Sequence, residues 1–456
     1  MGPFGASLTV LCRHSIDEDD VPANLSNTQH PRTEDQLRKT YRVKGIPPEW
    51  NWQRLEAQLH ANAEIQDETT ISVRSLALDI GRPGERPMQT AVVSFGERPQ
   101  WCRRDRTGLT IGDTRLSCDT VFDGFTPLSF VPPSQPAIDC IVLPGWGGHS
   151  IGSFMAQESP HIWLIDRLAR HFPNFRVWTY GYGSPVRNQL PQEDVYEFAH
   201  DFMLRLRRMR NAFKGVEQKS PIIYLAHSLG GLLFKEIMIK MSQSSNAIDK
   251  INVQCTYGAL FFGVPSAGMD VEAIAEMVGD LPARTTLKEL DRRIGHRLRN
   301  RQHNLFCQSF GYRDSVIARF YELLPTPTVV PDPSTPNGFS RTGPPKYLVD
   351  YQSATVGRAW ETDEENIFGL YGNHSTMVKL PEDFDHDYEK IYEVLDKFSV
   401  VAPTVIMSRF GRPSDQANPS PSPSLSSTTE GINPAYRNYE ELLQKKIAQE
   451  ENAEHR

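Results

Sequence analysis

Between about residues 138 and 398 the chain alternates short, almost wholly apolar runs with amphipathic ones, and this alternation constrains the fold more than any other feature. IDCIVLP, FRVWTYGYG, PIIYLAH, VQCTYGALFFGVP and SVIARFYEL have the length of strands. Strands apolar on both faces must be covered on both, so these runs predict a mostly parallel sheet with helices on each side. HIWLIDRLARHF, EDVYEFAHDFMLRLRRMRNAF and SLGGLLFKEIMIKM supply helical spacing between them. Residues 270–310 also read as helical, with Ile274, Met277, Val278 and Leu281 on one face, a segment that could form a lid. A Pro-rich insertion from Pro325 to Pro345 precedes a further expected strand, KYLVDY, and the helix DYEKIYEVLDKF closes this unit near 398.

The remainder has a different texture. Residues 1–39 lack periodicity and read as a disordered arm. TYRVKGIP, WNWQRLEAQLHANAE, TISVRSLALDI and QTAVVSF follow in the order β-α-β-β, which predicts a small α+β ferredoxin-like module over 40–100, with 101–137 as a connection. YRVKGIP resembles the first strand of RNA-recognition modules, in which sheet aromatics stack bases. Here the corresponding third-strand positions are Thr90 and Val92, so a structural or docking role is expected. Residues 399–456 form a Ser/Pro-rich linker and a charged tail.

The 456 residues carry 49 Lys plus Arg against 56 Asp plus Glu, a net charge of -7, which gives no electrostatic reason to expect a nucleic-acid partner or binding to acidic lipid by charge alone. Six scattered cysteines form no C-x-x-C pair, so no zinc site, no metal centre and no disulfide framework is expected, and a reducing compartment fits. No apolar stretch approaches the roughly 18 residues of a membrane span. ASLTVLC is short for a secretory segment, and Pro3 and Ala6 argue against myristoylation at Gly2. The expected location is intracellular and cytoplasmic.

Ser228 lies between the strand PIIYLAH and the helix beginning LGGLL, the strand-turn-helix setting of a nucleophile elbow, with Ala226 where glycine is usual and Gly230 two residues after. A serine hydroxyl attacks an acyl carbon only with a base, an acid that orients it and donors for the oxyanion. In an α/β-hydrolase these follow in the order Ser, acid, His. Among histidines after Ser228, His296, His303, His386 and His455 read as surface residues, whereas His374 in YGNHSTMVKL falls in a loop before the last helix. Glu322, ending SVIARFYE, is the candidate acid; Asp350, ending KYLVD, is the alternative, with Asp363 behind it. The oxyanion donors expected are the amides of Leu229 and Trp146, the latter in the glycine-rich LPGWGGHS, which lacks the Lys and Ser/Thr of a phosphate loop.

PGWGGHS, HIWLIDRLARHFP, WTYGYGS, LAHSLGGLLFKE, FFGVPSAGMD, FYELLPT, SATVG and GNHSTMVKL together resemble the serine-active-site, lipase-like α/β-hydrolases related to GPI inositol deacylase, above all the fungal branch found before NACHT domains. The resemblance spans about 120–395 and implies Ser228 as nucleophile, His374 as base and Glu322 as acid. It implies a lipid or other hydrophobic ester as substrate; no cofactor is expected, and any membrane contact is expected to be peripheral, at mitochondrial or endoplasmic-reticulum membranes. Pro144 stands where the family has a histidine that can brace the oxyanion loop, Trp146 replaces a leucine, and GVPSAG lacks a basic residue near the mouth. The expected fold is thus an α/β-hydrolase preceded by a small α+β module, and the expected activity a serine esterase. The alternative is a catalytically weak or inactive hydrolase fold used as an interaction or signalling module.

Overall fold

The computed structural model describes residues 40–62, 71–79, 87–96, 99–102, 108–132, 135–145, 148–182, 195–212, 217–271, 290–293, 295–334, 339–362, 364–382 and 385–411. The expected arm at 1–39, the apolar face at Ile274 to Leu281, and the tail beyond 411 lie outside the described residues.

The N-terminal part begins with β1 (Thr40–Ile46), α1 (Trp52–Asn62), β2 (Ile71–Asp79) and β3 (Met88–Phe95). The segment read as a connection adds β4 (Leu109–Ile111) and β5 (Thr114–Asp119), so the sheet has five strands in the order β2-β3-β1-β5-β4. Strand alternation sorts its side chains. Tyr41, Val43, Ala91, Val93 and Phe95 pack on Leu55 and Leu59 of α1. The opposite face carries Thr90 and Val92, both fully buried, with Val92 joining the larger core beside Phe122. Arg42, on that same face, bonds Asp119 at 2.9 Å and Thr126 at 2.9 Å, so the sheet rests on the hydrolase part. One expectation fails here: Cys102 and Cys118, 16 residues apart, are joined by a disulfide with a Cα–Cα distance of 5.5 Å. Folding of the second hairpin brings together two cysteines whose spacing says nothing about pairing.

The second sheet has seven strands in the order β14-β11-β10-β9-β7-β8-β6. Its members are β6 (Gly124–Pro127), β7 (Ile138–Leu143), β8 (Phe175–Gly181), β9 (Ile222–His227), β10 (Thr256–Phe262), β11 (Val316–Glu322) and β14 (Ile367–Leu370). All pairings are parallel except that of β6 with β8. Helices α2 (Val195–Ala212), α3 (Leu229–Gln243), α4 (Ala247–Cys255), α5 (His296–Ser309) and α6 (Asp385–Gly411) accompany it. Phe234 of α3 packs on Phe261 of β10 and on Phe306 of α5 at one face. At the other, Phe398 of α6 packs on Tyr257, and Trp163 on Tyr388. This is the α/β-hydrolase fold.

Three local readings change. KYLVDY is not a strand of the sheet; the Pro-rich insertion is an antiparallel hairpin of β12 (Thr326–Pro331) and β13 (Phe339–Lys346), and the edge strand is the four-residue β14. Helix α6 passes 398 and Pro403 to reach Gly411, because Ala402, Val405 and Ile406 are buried and Arg409 bonds Asp314 and the carbonyls of Gln254 and Thr256. Tertiary packing there outweighs the missing N–H of one proline. His303 is half-buried, with Nε2 3.4 Å from Cys307 Sγ, rather than a surface residue. Among the described residues no helix is long and apolar enough to cross a membrane.

Candidate active site

Ser228 connects β9 directly to α3 and adopts φ 53 and ψ -124, a strained conformation for a residue with a side chain. Its amide is fixed by the carbonyl of Phe262 at 2.9 Å. The turn needs close approach. A Cβ on Gly230 would lie 2.5 Å from the Leu143 carbonyl oxygen, so only glycine lets α3 meet β7 there. Ala226, by contrast, is fully buried on β9, and its single methyl is accommodated within the sheet.

The parallel order brings the ends of β9, β11 and β14 to one edge of the sheet. His374, four residues beyond β14, places Nε2 2.8 Å from Ser228 Oγ, and both side chains are buried. With the hydroxyl as donor, Nε2 accepts and the ring proton sits on Nδ1. Nδ1 faces Glu322 Oε1 at 3.9 Å and makes no hydrogen bond. Glu322 is held by the Val349 amide at 2.9 Å and the Thr326 hydroxyl at 3.3 Å. Asp350 is not brought to the histidine; it caps the turn Tyr351–Ala354 through the Ser353 amide and pairs with Arg292 at 2.6 Å. Asp363 lies outside the described residues.

Glu322 and His374 are both buried, and burial acts on both titrating groups. Burial pushes Glu322 up to about 7. Burial, followed by the nearby His227 and the positive Arg341, pushes His374 down to about 3. Both directions favour an uncharged histidine at rest, ready to accept a proton, and both weaken once an imidazolium forms beside a carboxylate.

Of the two expected oxyanion donors, Leu229 contributes the first amide of α3, one of the helix N–H groups without an intrahelical partner. Trp146 and Gly147 lie outside the described residues, but Gly145 and Gly148 do not. The Tyr182 hydroxyl donates to the Pro144 carbonyl at 2.7 Å, and the Gly148 amide to the Gly145 carbonyl at 3.0 Å. A Cβ on Gly145 would lie 3.1 Å from Ser228 Cβ and 3.2 Å from His227 Nδ1. The Tyr182 hydroxyl thus ties this loop to the end of β8 through the Pro144 carbonyl.

Two residues that the sequence reading passed over touch His374. Thr326 Oγ1 accepts from the His374 amide at 3.1 Å, and His227 Nε2 lies 2.8 Å from the His374 carbonyl. The only signal of either in the sequence is position: His227 precedes the elbow serine, and Thr326 opens the insertion after the acid. Among the described residues no group of three His, Cys, Asp or Glu side chains could hold a metal ion.

No protein-family profile matches the chain, and no curated protein does. It is similar to the solved mature form of a Bacillus licheniformis lipase, at 11% identity over 59% of this chain and 97% of that one, with a TM-score of 0.36. It is also similar to the thioesterase of the prodiginine biosynthetic pathway of Streptomyces coelicolor, at 13% identity over 58% and 90% of the two chains, with a TM-score of 0.31. A lipase-esterase related protein of Clostridium acetobutylicum is similar at 10% identity over 61% and 99%, with a TM-score of 0.30. What this chain can do chemically follows from its own side chains: a serine on a strained turn, a neutral imidazole on its hydroxyl, and a buried carboxylate behind the ring.

Proposed function

We propose that the protein is a serine hydrolase that cleaves carboxylic esters through an acyl-enzyme. The observation that carries this reading is the 2.8 Å contact between Ser228 Oγ and His374 Nε2, two residues 146 positions apart, with a glutamate on the far side of the ring. Ser228 attacks the ester carbonyl as His374 takes its proton. The tetrahedral oxyanion is held by the amides of Leu229 and Trp146, and Glu322 draws up to Nδ1 as the imidazolium forms. Collapse expels the alcohol, which leaves with the proton from His374. Water, deprotonated by the same histidine, then releases the acid. Catalytic hydrogen bonds are often long before substrate binds, which accounts for the open Glu322 to His374 distance.

The substrate we assign is a lipid or other hydrophobic ester, on the resemblance of LAHSLGGLLFKE and GNHSTMVKL to the hydrolases related to GPI inositol deacylase. Any membrane contact is peripheral. Hydrolysis of p-nitrophenyl esters of graded acyl length tests both parts. The proposal expects turnover that increases with chain length and is lost in Ser228→Ala; turnover unaffected by that change would sink it. The 3.9 Å gap at Nδ1 is the observation that favours a second reading, a hydrolase fold kept as an interaction module with weak or lost catalysis. Well-folded protein that turns over no ester would favour that reading.

A further inference from the structure

His374 is gripped by its backbone as well as used by its side chain. Its N–H donates to Thr326 Oγ1 at 3.1 Å, and its carbonyl lies 2.8 Å from His227 Nε2. A carbonyl only accepts, so His227 Nε2 must carry the proton and donate. That fixes the tautomer of a ring which is itself buried and lies 5.2 Å, centroid to centroid, from the His374 ring. Burial also pushes His227 down to about 4, which keeps the ring neutral and adds no positive charge beside the base.

His227 is the residue before Ser228, so one covalent step separates the grip on the base from the nucleophile. The chain of contacts closes on itself: Ser228 to the His374 ring, the His374 carbonyl to His227, and His227 through the peptide bond back to Ser228. On the other side Thr326 Oγ1 accepts from the His374 amide and its hydroxyl donates to Glu322 Oε2, so the clamp also spans base and acid. A Cβ added at Gly145 would fall 3.1 Å from Ser228 Cβ and 3.2 Å from His227 Nδ1, so the glycine lets the loop after β7 approach the same ring.

We infer that His227 and Thr326 are positioning residues that clamp the peptide of His374 from both sides and so set the distance from its imidazole to Ser228 and Glu322. The inference rests on the hydrolase reading above and assigns neither residue a proton-transfer role. Its effect should fall on the chemical step, because neither group is invoked to bind substrate; misplacing a reacting group by about 1 Å can cost on the order of 10²-fold in rate.

The test uses the full chain and p-nitrophenyl butyrate, with thermal unfolding and circular dichroism to verify folding. Leucine at 227 removes the donor, and glutamine keeps one at similar reach. His227→Leu is expected to lower kcat on the order of 10²-fold with KM changed about twofold or less, and His227→Gln to recover most of that loss. A folded His227→Leu with unchanged kcat, a loss confined to KM, or a His227→Gln as impaired as His227→Leu would each overturn the clamp. Should His227→Leu not fold, the isosteric Thr326→Val takes its place: a kcat loss rescued by Thr326→Ser supports the inference, and unchanged kcat overturns it. Labelling of wild-type Ser228 by a fluorophosphonate separates the two levels. An unlabelled wild type overturns the hydrolase reading and this inference with it, whereas a labelled wild type with an unimpaired His227→Leu overturns the clamp alone.

Discussion

The two ends of the seven-stranded sheet treat their buried carboxylates in opposite ways. At the amino end, Asp139 of β7 is fully buried and fully engaged: Arg176 reaches it at 2.7 and 3.1 Å, Trp178 at 3.3 Å, and Arg210 also bonds it. Arg210 in turn reaches the Ser220 carbonyl at 3.0 Å and Asn252 at 3.3 Å. At the carboxyl end, Ser228 is strained, His374 Nδ1 is buried with no hydrogen bond, and Glu322 is displaced toward neutrality. A carboxylate engaged on both oxygens rigidifies its surroundings, even though Asn252 Nδ2 beside it has no hydrogen-bond partner, while strain at a reacting group is left where a ligand or a transition state can use it. In open parallel sheets that place is outside the carboxyl ends of the strands. Buried polar side chains therefore hold the molecule together at one end and supply the candidate chemistry at the other.

Changing Glu322, the proposed acid, should produce the largest effect. Glu322→Gln is expected to lower kcat on the order of 10³-fold while leaving the unfolding midpoint nearly unchanged, and Asp350→Asn should leave turnover intact. The pH profile sharpens this. Glu322 is anionic only above its displaced value of about 7, whereas His374 stays neutral down to about 3, so activity should fall as pH drops through about 7. That limb should vanish in Glu322→Gln. An unchanged limb in the variant would assign the ionisation elsewhere.

At the amino edge the balance should reverse. Asp139→Ala leaves two buried arginines without their carboxylate and should cost about 3–5 kcal/mol in urea unfolding. The fraction that remains folded should keep its kcat/KM. A catalytic loss exceeding the loss of folded protein would break the division between the two edges.

A smaller effect is expected at Lys235 on α3, which is 1% exposed and donates to Ser266 Oγ at 2.8 Å, with burial pushing it down to about 7. Between pH 7 and about 10 the unfolded chain holds a proton on this lysine that the native state has released, so stability should rise with pH across that window. Lys235→Met should flatten this slope and raise the unfolding temperature by a few degrees, as followed by calorimetry at several pH values.

The candidate site was legible because its members are ordered along the chain. Ser228 lies at a strand-to-helix junction, Glu322 at the end of an apolar run, and His374 in a loop before an amphipathic helix; each signal is local. The contacts that refine the site are not. His227 meets the His374 carbonyl across 147 residues and Thr326 its amide across 48, and no periodicity encodes either. The edge strand escaped because IFGL is four residues long and contains glycine, whereas KYLVDY has the better pattern but gives its Val349 amide to Glu322 instead of a ladder. The disulfide escaped because Cys102 and Cys118 meet only once the N-terminal sheet has formed.

The central claim is that His374 activates Ser228. Its most direct measurement is covalent labelling by a fluorophosphonate, with the adduct located by mass spectrometry of the digested protein. The account predicts a single adduct on Ser228 whose rate of formation collapses in the folded His374→Ala variant. A folded wild-type protein that takes up no label, labels at another residue, or labels Ser228 equally fast without His374 would contradict it.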